Sequence, residues 1–357
     1  MRTMSPSELR LISRLAIDSS LRQAGLARDL HVTRSAVNQI WQNLERENGL
    51  KIRGNLDYGK VGLQMVFGWA IASEESNILE KFHRWLKSSK LVTLALQSLI
   101  SSTFNSLVYF EALLPLDSQY GWFQNQIDRF RKKPYSLTLY TCDCSKISYH
   151  LNLGLFDGTN WNFPESFRLE ASIGAARGYV DILPVVGTVE QSSPSAPIID
   201  GLIVAAAIES DYNTDAPSLA SAYSGLGLKP SSDRTLRRRI ARARKKLAAP
   251  YVEISNIGLD QHIMVSFRDD VLKESVFSRV LHAQASTFPK ARVLSGPGLT
   301  LLDLEVPSNI NWLPLSQVMS GLAGNSSEIC TFIANQREKS NRLESVVSYL
   351  ASRASSG

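Results

Sequence analysis

Residues 232–246 read Ser-Asp-Arg-Thr-Leu-Arg-Arg-Arg-Ile-Ala-Arg-Ala-Arg-Lys-Lys. Leu236, Ile240, Ala243 and Leu247 recur at helical spacing, which seats one face of a helix on a core. Most other positions are Arg or Lys, with few carboxylates among them, so ion pairs one turn apart cannot neutralise the run. Cations held in a row on a helix have the chemistry of polyanion contact: each neutralises a phosphate and releases its counterion. Ser232, Arg234, Arg237, Arg238, Arg242, Lys245 and Lys246 are the candidate contacts. The competing reading is a charged face that is only solvated.

A second set of residues has a different chemistry. Thr33-Arg34-Ser35-Ala36-Val37-Asn38-Gln39-Ile40-Trp41-Gln42-Asn43-Leu44 opens on an N-cap residue, Thr33. Val37, Ile40, Trp41 and Leu44 make an apolar stripe. Arg34, Ser35, Asn38, Gln39 and Gln42 face the other way, with Arg46 one turn further on. Amide side chains pair with adenine and Arg with guanine along the edges of a major groove, so this face has the residue types that read bases.

These side chains need elements to position them. Residues 21–30 form a short helix with Leu26, Ala27 and Leu30 on one side, and His31-Val32 is a tight connection to the helix that follows. Helix, short turn and polar-faced helix make the helix-turn-helix pattern. A preceding helix at 7–17, with Leu11, Ile12 and Leu15 inward, completes a three-helix unit. Lys51-Ile52-Arg53-Gly54 and Leu56-Asp57-Tyr58 then read as a small wing, with Lys51 and Arg53 as phosphate contacts.

Past Gly62 the pattern alternates between strands and helices. Strands are expected at 65–72, 91–99, 107–114 and 135–142, with 147–155 as a continuation of the last, and helices at 77–87 and 120–131. That order, β-α-β-β-α-β, is the ferredoxin-like arrangement. The second half repeats it: strands at 262–267, 292–294, 299–306 and 328–334, helices at 272–285 and 314–322. Leu107–Pro115 echoes Leu299–Pro307 residue by residue, and Thr33 and Ser232 both precede the exposed helix of their half. The chain thus reads as an α+β protein of two tandem units. Each unit is a winged helix-turn-helix (1–62 and 197–257) followed by a ferredoxin-like domain (63–155 and 258–340). A linker spans 156–196, rich in Ser and Pro at its end and with a short helix at 167–179. A C-terminal helix or tail occupies 341–357. The two sheets are expected to pack face to face, making the chain its own pseudo-dimer.

The chain has 357 residues, a net charge of +6 and a pI of about 9.2, a basic excess that favours an anionic partner. No apolar run is long enough to span a bilayer, and no secretory signal opens the chain, so a cytoplasmic, nucleoid-associated place is expected. Cys142, Cys144 and Cys330 cannot make a disulfide scaffold, and Cys142-Asp143-Cys144 lacks a second ligand pair for a metal. No metal and no cofactor are expected.

A winged helix-turn-helix followed by a β-α-β-β-α-β domain resembles the Lrp/AsnC (feast/famine) transcription regulators. The resemblance rests on Leu26–Val37, on the exit from the exposed helix at Leu44–Ile52, and on Tyr58-Gly59-Lys60-Val61-Gly62-Leu63. It covers residues 7–155 well and 197–340 in architecture. It implies a transcription regulator that binds double-stranded DNA through helices at 33–47 and 232–247, assembled as an intrachain pseudo-dimer or a homodimer. It also implies a small-molecule effector near the turn after the second strand. That turn here reads Ser101-Ser102-Thr103-Phe104-Asn105-Ser106, without the family's glycine, and Ser102, Thr103, Phe104 and Asn105 are the candidate contacts.

Two other classes compete. One is a chromatin-like or replication-initiator DNA-binding protein with tandem winged helices. The other is an enzyme, since some proteins of this family's fold are haem-pathway decarboxylases that use His and Arg. The five histidines, His31, His83, His150, His262 and His282, form no acid–base or metal pair in sequence, and no phosphate loop or nucleophile elbow is visible. The chain is therefore expected not to be an enzyme.

Overall fold

A computed structural model describes residues 3–72, 76–101, 106–162, 187–194, 196–268, 285–308, 328–334 and 342–354. The first unit begins with α1 (Pro6–Ile17), α2 (Gln23–Asp29) and α3 (Arg34–Asn48). Ser5 and Glu8 cap α1 reciprocally, Ser5 Oγ accepting from Glu8 N while Glu8 accepts from Ser5 N. Leu11, Ile12, Leu15, Leu26, Val37 and Leu44 are buried where the three helices meet.

Strand β1 (Lys51–Leu56) follows, and then β2 (Leu63–Ile71), α4 (Ser76–Ser88), β3 (Val92–Ser101), β4 (Leu107–Pro115), α5 (Ser118–Arg131) and β5 (Thr138–Asp143). Strands β6 (Lys146–Leu151) and β7 (Val189–Glu190) lie between the units. The second unit has α6 (Ile199–Ser210), α7 (Ala216–Gly225), α8 (Asp233–Leu247) and β8 (Ala248–Glu253). Strands β9 (Gln261–Arg268), β10 (Lys290–Gly296), β11 (Leu299–Val306) and β12 (Glu328–Ala334) follow, and α9 (Leu343–Ala354) ends the described chain. The fold is the expected α+β design of two tandem units. The helices expected at 167–179, 272–285 and 314–322 fall almost wholly outside the described residues.

Among the described residues ten strands form one antiparallel sheet in the order β5-β2-β4-β3-β12-β9-β11-β10-β6-β7. Its first four members and the next four run in the same internal order, fourth-first-third-second, as the repeat requires. The expectation of two separate sheets packed face to face needs correction. The units join edge to edge through β3 and β12, so neither unit leaves that edge open. The sheet also curls. Glu111 on β4 ion-pairs with Arg292 on β10, five positions away in strand order, so strands of the two halves meet across the concave side of the sheet.

The wing at 51–58 also differs from expectation. Among the described residues β1 pairs not within its own unit but antiparallel with β8, from Lys51↔Glu253 to Leu56↔Ala248. Each of these strands leaves an exposed helix and crosses to the other unit. β1 lies on α6, where a Cβ at Gly54 would come within 2.8 Å of Ile208. Val252 near the end of β8, with Ile254 and Ile257 just beyond it, completes the core of the first three helices. Ser255 N donates to Asn48 O at 2.8 Å, tying the end of α3 to the same segment. The segment expected as a free linker takes part too: Trp161 is buried and donates to Ile257 O at 2.6 Å, and β7 pairs with β6.

Candidate nucleic-acid interface

The turn between α2 and α3 is held by His31 in the left-handed region (φ 56°), with Val32 N donating to Ala27 O at 3.0 Å. Thr33 Oγ1 accepts from Ala36 N at 3.1 Å and fixes where α3 begins. Thr33, Arg34, Ser35, Gln39, Gln42 and Arg46 are exposed. Asn38 is half-buried and accepts from Gln23 Nε2 at 3.0 Å, so its amide is partly spent on holding α2 against α3. Arg46 ion-pairs with its neighbour Glu47 at 2.8 Å.

On α8 the apolar stripe seats as expected: Leu236, Ile240 and Ala243 are buried against α6 and α7. Ser232, Arg234, Arg237, Arg238, Arg242, Lys245 and Lys246 are all exposed. Arg237 pairs with Asp233 one turn away at 2.9 Å. Arg239 and Arg244, by contrast, turn back onto the protein. Arg239 reaches Asp200 at 3.0 Å, and Arg244 donates to Thr214 O beside the Tyr212 ring. Ser232 stands at the N-cap, its carbonyl accepting from Leu236 N at 3.0 Å, but its side chain caps no helix amide.

Lys51 is exposed at the start of β1. Arg53 is not. It is 6% exposed, ion-paired with Glu253 on β8 and donating to Ser210 O, so the phosphate contact expected of it is corrected. β1 is buried from Ile52 to Leu56, so Arg53 lies inside, where it clamps the junction of the two units. Ser102, Thr103, Phe104 and Asn105 lie outside the described residues.

A second constellation lies inside the curled sheet and was not read from the sequence. A cavity of about 260 Å³ sits between the concave face and the β1–β8 ladder. Arg292 at its wall pairs with Glu111 and, at 3.2 Å, with Asp303. Asp303 also bonds His262, and Tyr109 donates to Glu111 at 2.6 Å. Tyr149 and Tyr251 stack across the wall, with ring centroids 3.7 Å apart and planes within 7°.

Burial alone would push the Asp303 carboxyl up; His262, Arg292 and Lys290 overturn that and hold it at about 2. Burial likewise pushes His262 down, and Asp303 beside it more than reverses this, leaving the imidazole raised. For His150 no carboxylate partner stands among the described residues, and burial takes it down to about 4. The sequence signals were slight: Glu111 interrupts an otherwise apolar strand, and Arg292 stands in a short apolar one.

No protein-family model matches the chain, and no curated protein matches it in sequence. Solved structures do. The siroheme decarboxylase NirDL aligns over 98% of this chain and 100% of its own, at 10% identity and a TM-score of 0.49. An AsnC family transcriptional regulator from Agrobacterium tumefaciens aligns over 39% of this chain and 89% of its own, at 18% identity and a TM-score of 0.27. LrpC of B. subtilis aligns over 39% and 93%, at 12% identity and a TM-score of 0.24. These likenesses concern the fold. The two regulators align with about 39% of the chain, and the siroheme decarboxylase with nearly all of it. The expectation that the chain is not an enzyme is corrected on that ground, because the full-length neighbours are an enzyme, alone and in co-complex with an iron-uroporphyrin III analogue.

Among the described residues no helix is long and apolar enough to cross a membrane.

Proposed function

We propose that this chain is a double-stranded DNA-binding regulator that grips its target through α3 and α8. The observation that carries this is the exposure of six cations on α8, Arg234, Arg237, Arg238, Arg242, Lys245 and Lys246, on a helix whose apolar side is firmly seated. Presentation on a rigid helix costs little ordering on binding, and every phosphate neutralised releases a counterion. The β1–β8 ladder supports the reading further, since it fixes one helix-turn-helix relative to the other within a single polypeptide. The test is fluorescence anisotropy of the full chain on labelled duplex, with single strand and heparin as competitors, across a salt series. Duplex binding that weakens by several log units per log unit of salt is expected; no duplex affinity at low salt overturns the proposal.

A second reading is favoured by the cavity. A His262–Asp303 pair, a cationic Arg292 and two tyrosines are groups suited to acid–base work on a small bound molecule. About 260 Å³ is below the roughly 300–1,000 Å³ usual for drug-sized ligands, which favours a small molecule. Thermal-shift titration tests it, with small carboxylic acids as probes. A shift abolished by Tyr149→Phe with His262→Gln supports an occupied cavity. No shift from any probe counts against it.

A further inference from the structure

The two exposed helices can be superposed by counting from their N-caps, Thr33 and Ser232, because α3 and α8 are each 15 residues long. Their outward rows then correspond position for position. Ser35 matches Arg234, Gln39 matches Arg238, Gln42 matches Ala241 and Arg46 matches Lys245, and all eight are exposed. In both helices these positions lie opposite the buried stripe, Val37 and Leu44 in α3, Leu236, Ile240 and Ala243 in α8.

The fold treats these helices as equivalent, since each passes directly into a strand of the same two-stranded ladder. The chemistry does not. The row on α3 is a hydroxyl, two amides and an Arg already paired with Glu47. The row on α8 is three cations around a methyl group, with Arg242 alongside. Among the described residues Arg234, Arg238, Arg242 and Lys245 have no carboxylate partner.

Amide side chains gain most of their binding from matched donor–acceptor edges and therefore discriminate between bases. Arg can also pair with guanine, but a crowded row of Arg and Lys on one helix face matches the phosphates, which are the same on every sequence. A homodimer of identical units cannot separate these tasks, because each change appears on both helices. A single chain with two units can.

Resting on the DNA-binding reading above, we propose that the chain is an asymmetric pseudo-dimer. α3 reads sequence in one half-site, while α8 clamps the adjoining duplex without reading it. The partner is a duplex carrying one short motif with a neutral flank on one fixed side, and not an inverted repeat.

In vitro selection with the full chain on a randomised duplex library tests this. Enrichment confined to one arm is expected, with hydroxyl-radical protection extending into an unselected arm on a constant side. Enrichment in both arms, palindromic or not, overturns the proposal while leaving DNA binding intact. Tight duplex binding with no enrichment overturns the reading role of α3. Absence of duplex binding overturns the DNA-binding reading itself.

Two variants separate the roles without touching the core. Gln39→Ala with Gln42→Ala is expected to reduce the preference for the selected motif by about 5- to 150-fold for each bidentate amide–base pairing it removes. Its affinity for random duplex stays within about twofold of wild type. Arg234→Gln with Arg238→Gln is expected to weaken both duplexes by the same factor. An unequal loss in that second variant shows that α8 reads bases and overturns the asymmetry. Thermal melts of both variants verify the fold.

Discussion

Replacing Arg238, Arg242 and Lys245 by Gln probes the basic helix where the structure is most explicit. At 100° per residue the three lie within about 60° of arc on α8, opposite Leu236, Ile240 and Ala243. All three are exposed, and none has a carboxylate partner among the described residues. If each sits on a phosphate, the three together carry a log–log salt slope of about 2.7, at about 0.9 per phosphate. Over the fourfold step from about 50 to about 200 mM salt, the ratio of wild-type to variant affinity then falls about 40-fold. Anisotropy titrations at four salt concentrations on one duplex of random sequence measure this. Stability should move by less than about 0.5 kcal/mol, as for surface substitutions that leave caps and cores alone. An unchanged slope accompanied by a lower melting temperature would remove these side chains from the phosphates and make the row a protein-facing surface.

Other outcomes follow from the interior. Glu111→Leu leaves Arg292 buried with Asp303 alone and Tyr109 without its acceptor, and should cost about 3–5 kcal/mol by chemical denaturation. Adding Arg292→Leu should recover part of that loss, and strict additivity of the two changes would show that the pair is not coupled. For His262, whose folded-state pKa is raised, the stabilisation is full below its ordinary value near 6.5 and is lost as pH rises through the raised value. For Asp303, held at about 2 against an ordinary 3.8, about 2 kcal/mol is present above pH 4 and lost as pH falls towards 2. Melts from pH 3 to 9 should therefore show a decline on the alkaline side that His262→Gln removes. An identical profile in the variant would place the decline elsewhere.

The sequence revealed most where a pattern is local. The apolar periodicity of 33–44 and 236–247 located α3 and α8, and the strand order of both units followed from alternation and apolar runs. Three features needed partners far along the chain. Lys51–Leu56 looked like a wing because a β1-type segment pairs with whatever edge is nearest, and here that edge is β8, in the other unit. Arg53 looked like a phosphate contact because a lone Arg beside Lys carries no sign of burial; its partner Glu253 belongs to the other unit. The His262–Asp303–Arg292–Glu111 network joins β9, β11, β10 and β4, and only the curl of the joined sheet brings them together.

Whether α3 and α8 both lie on duplex DNA can be decided by photo-crosslinking from a single reactive residue placed at 39 or at 238 of the full chain, on a duplex of defined length. DNA crosslinks are expected from both positions, to nucleotides in separate segments of the duplex, and none from a control at exposed Glu80 on α4. Crosslinks from neither position, under conditions where the control protein remains folded, would take both helices off the DNA.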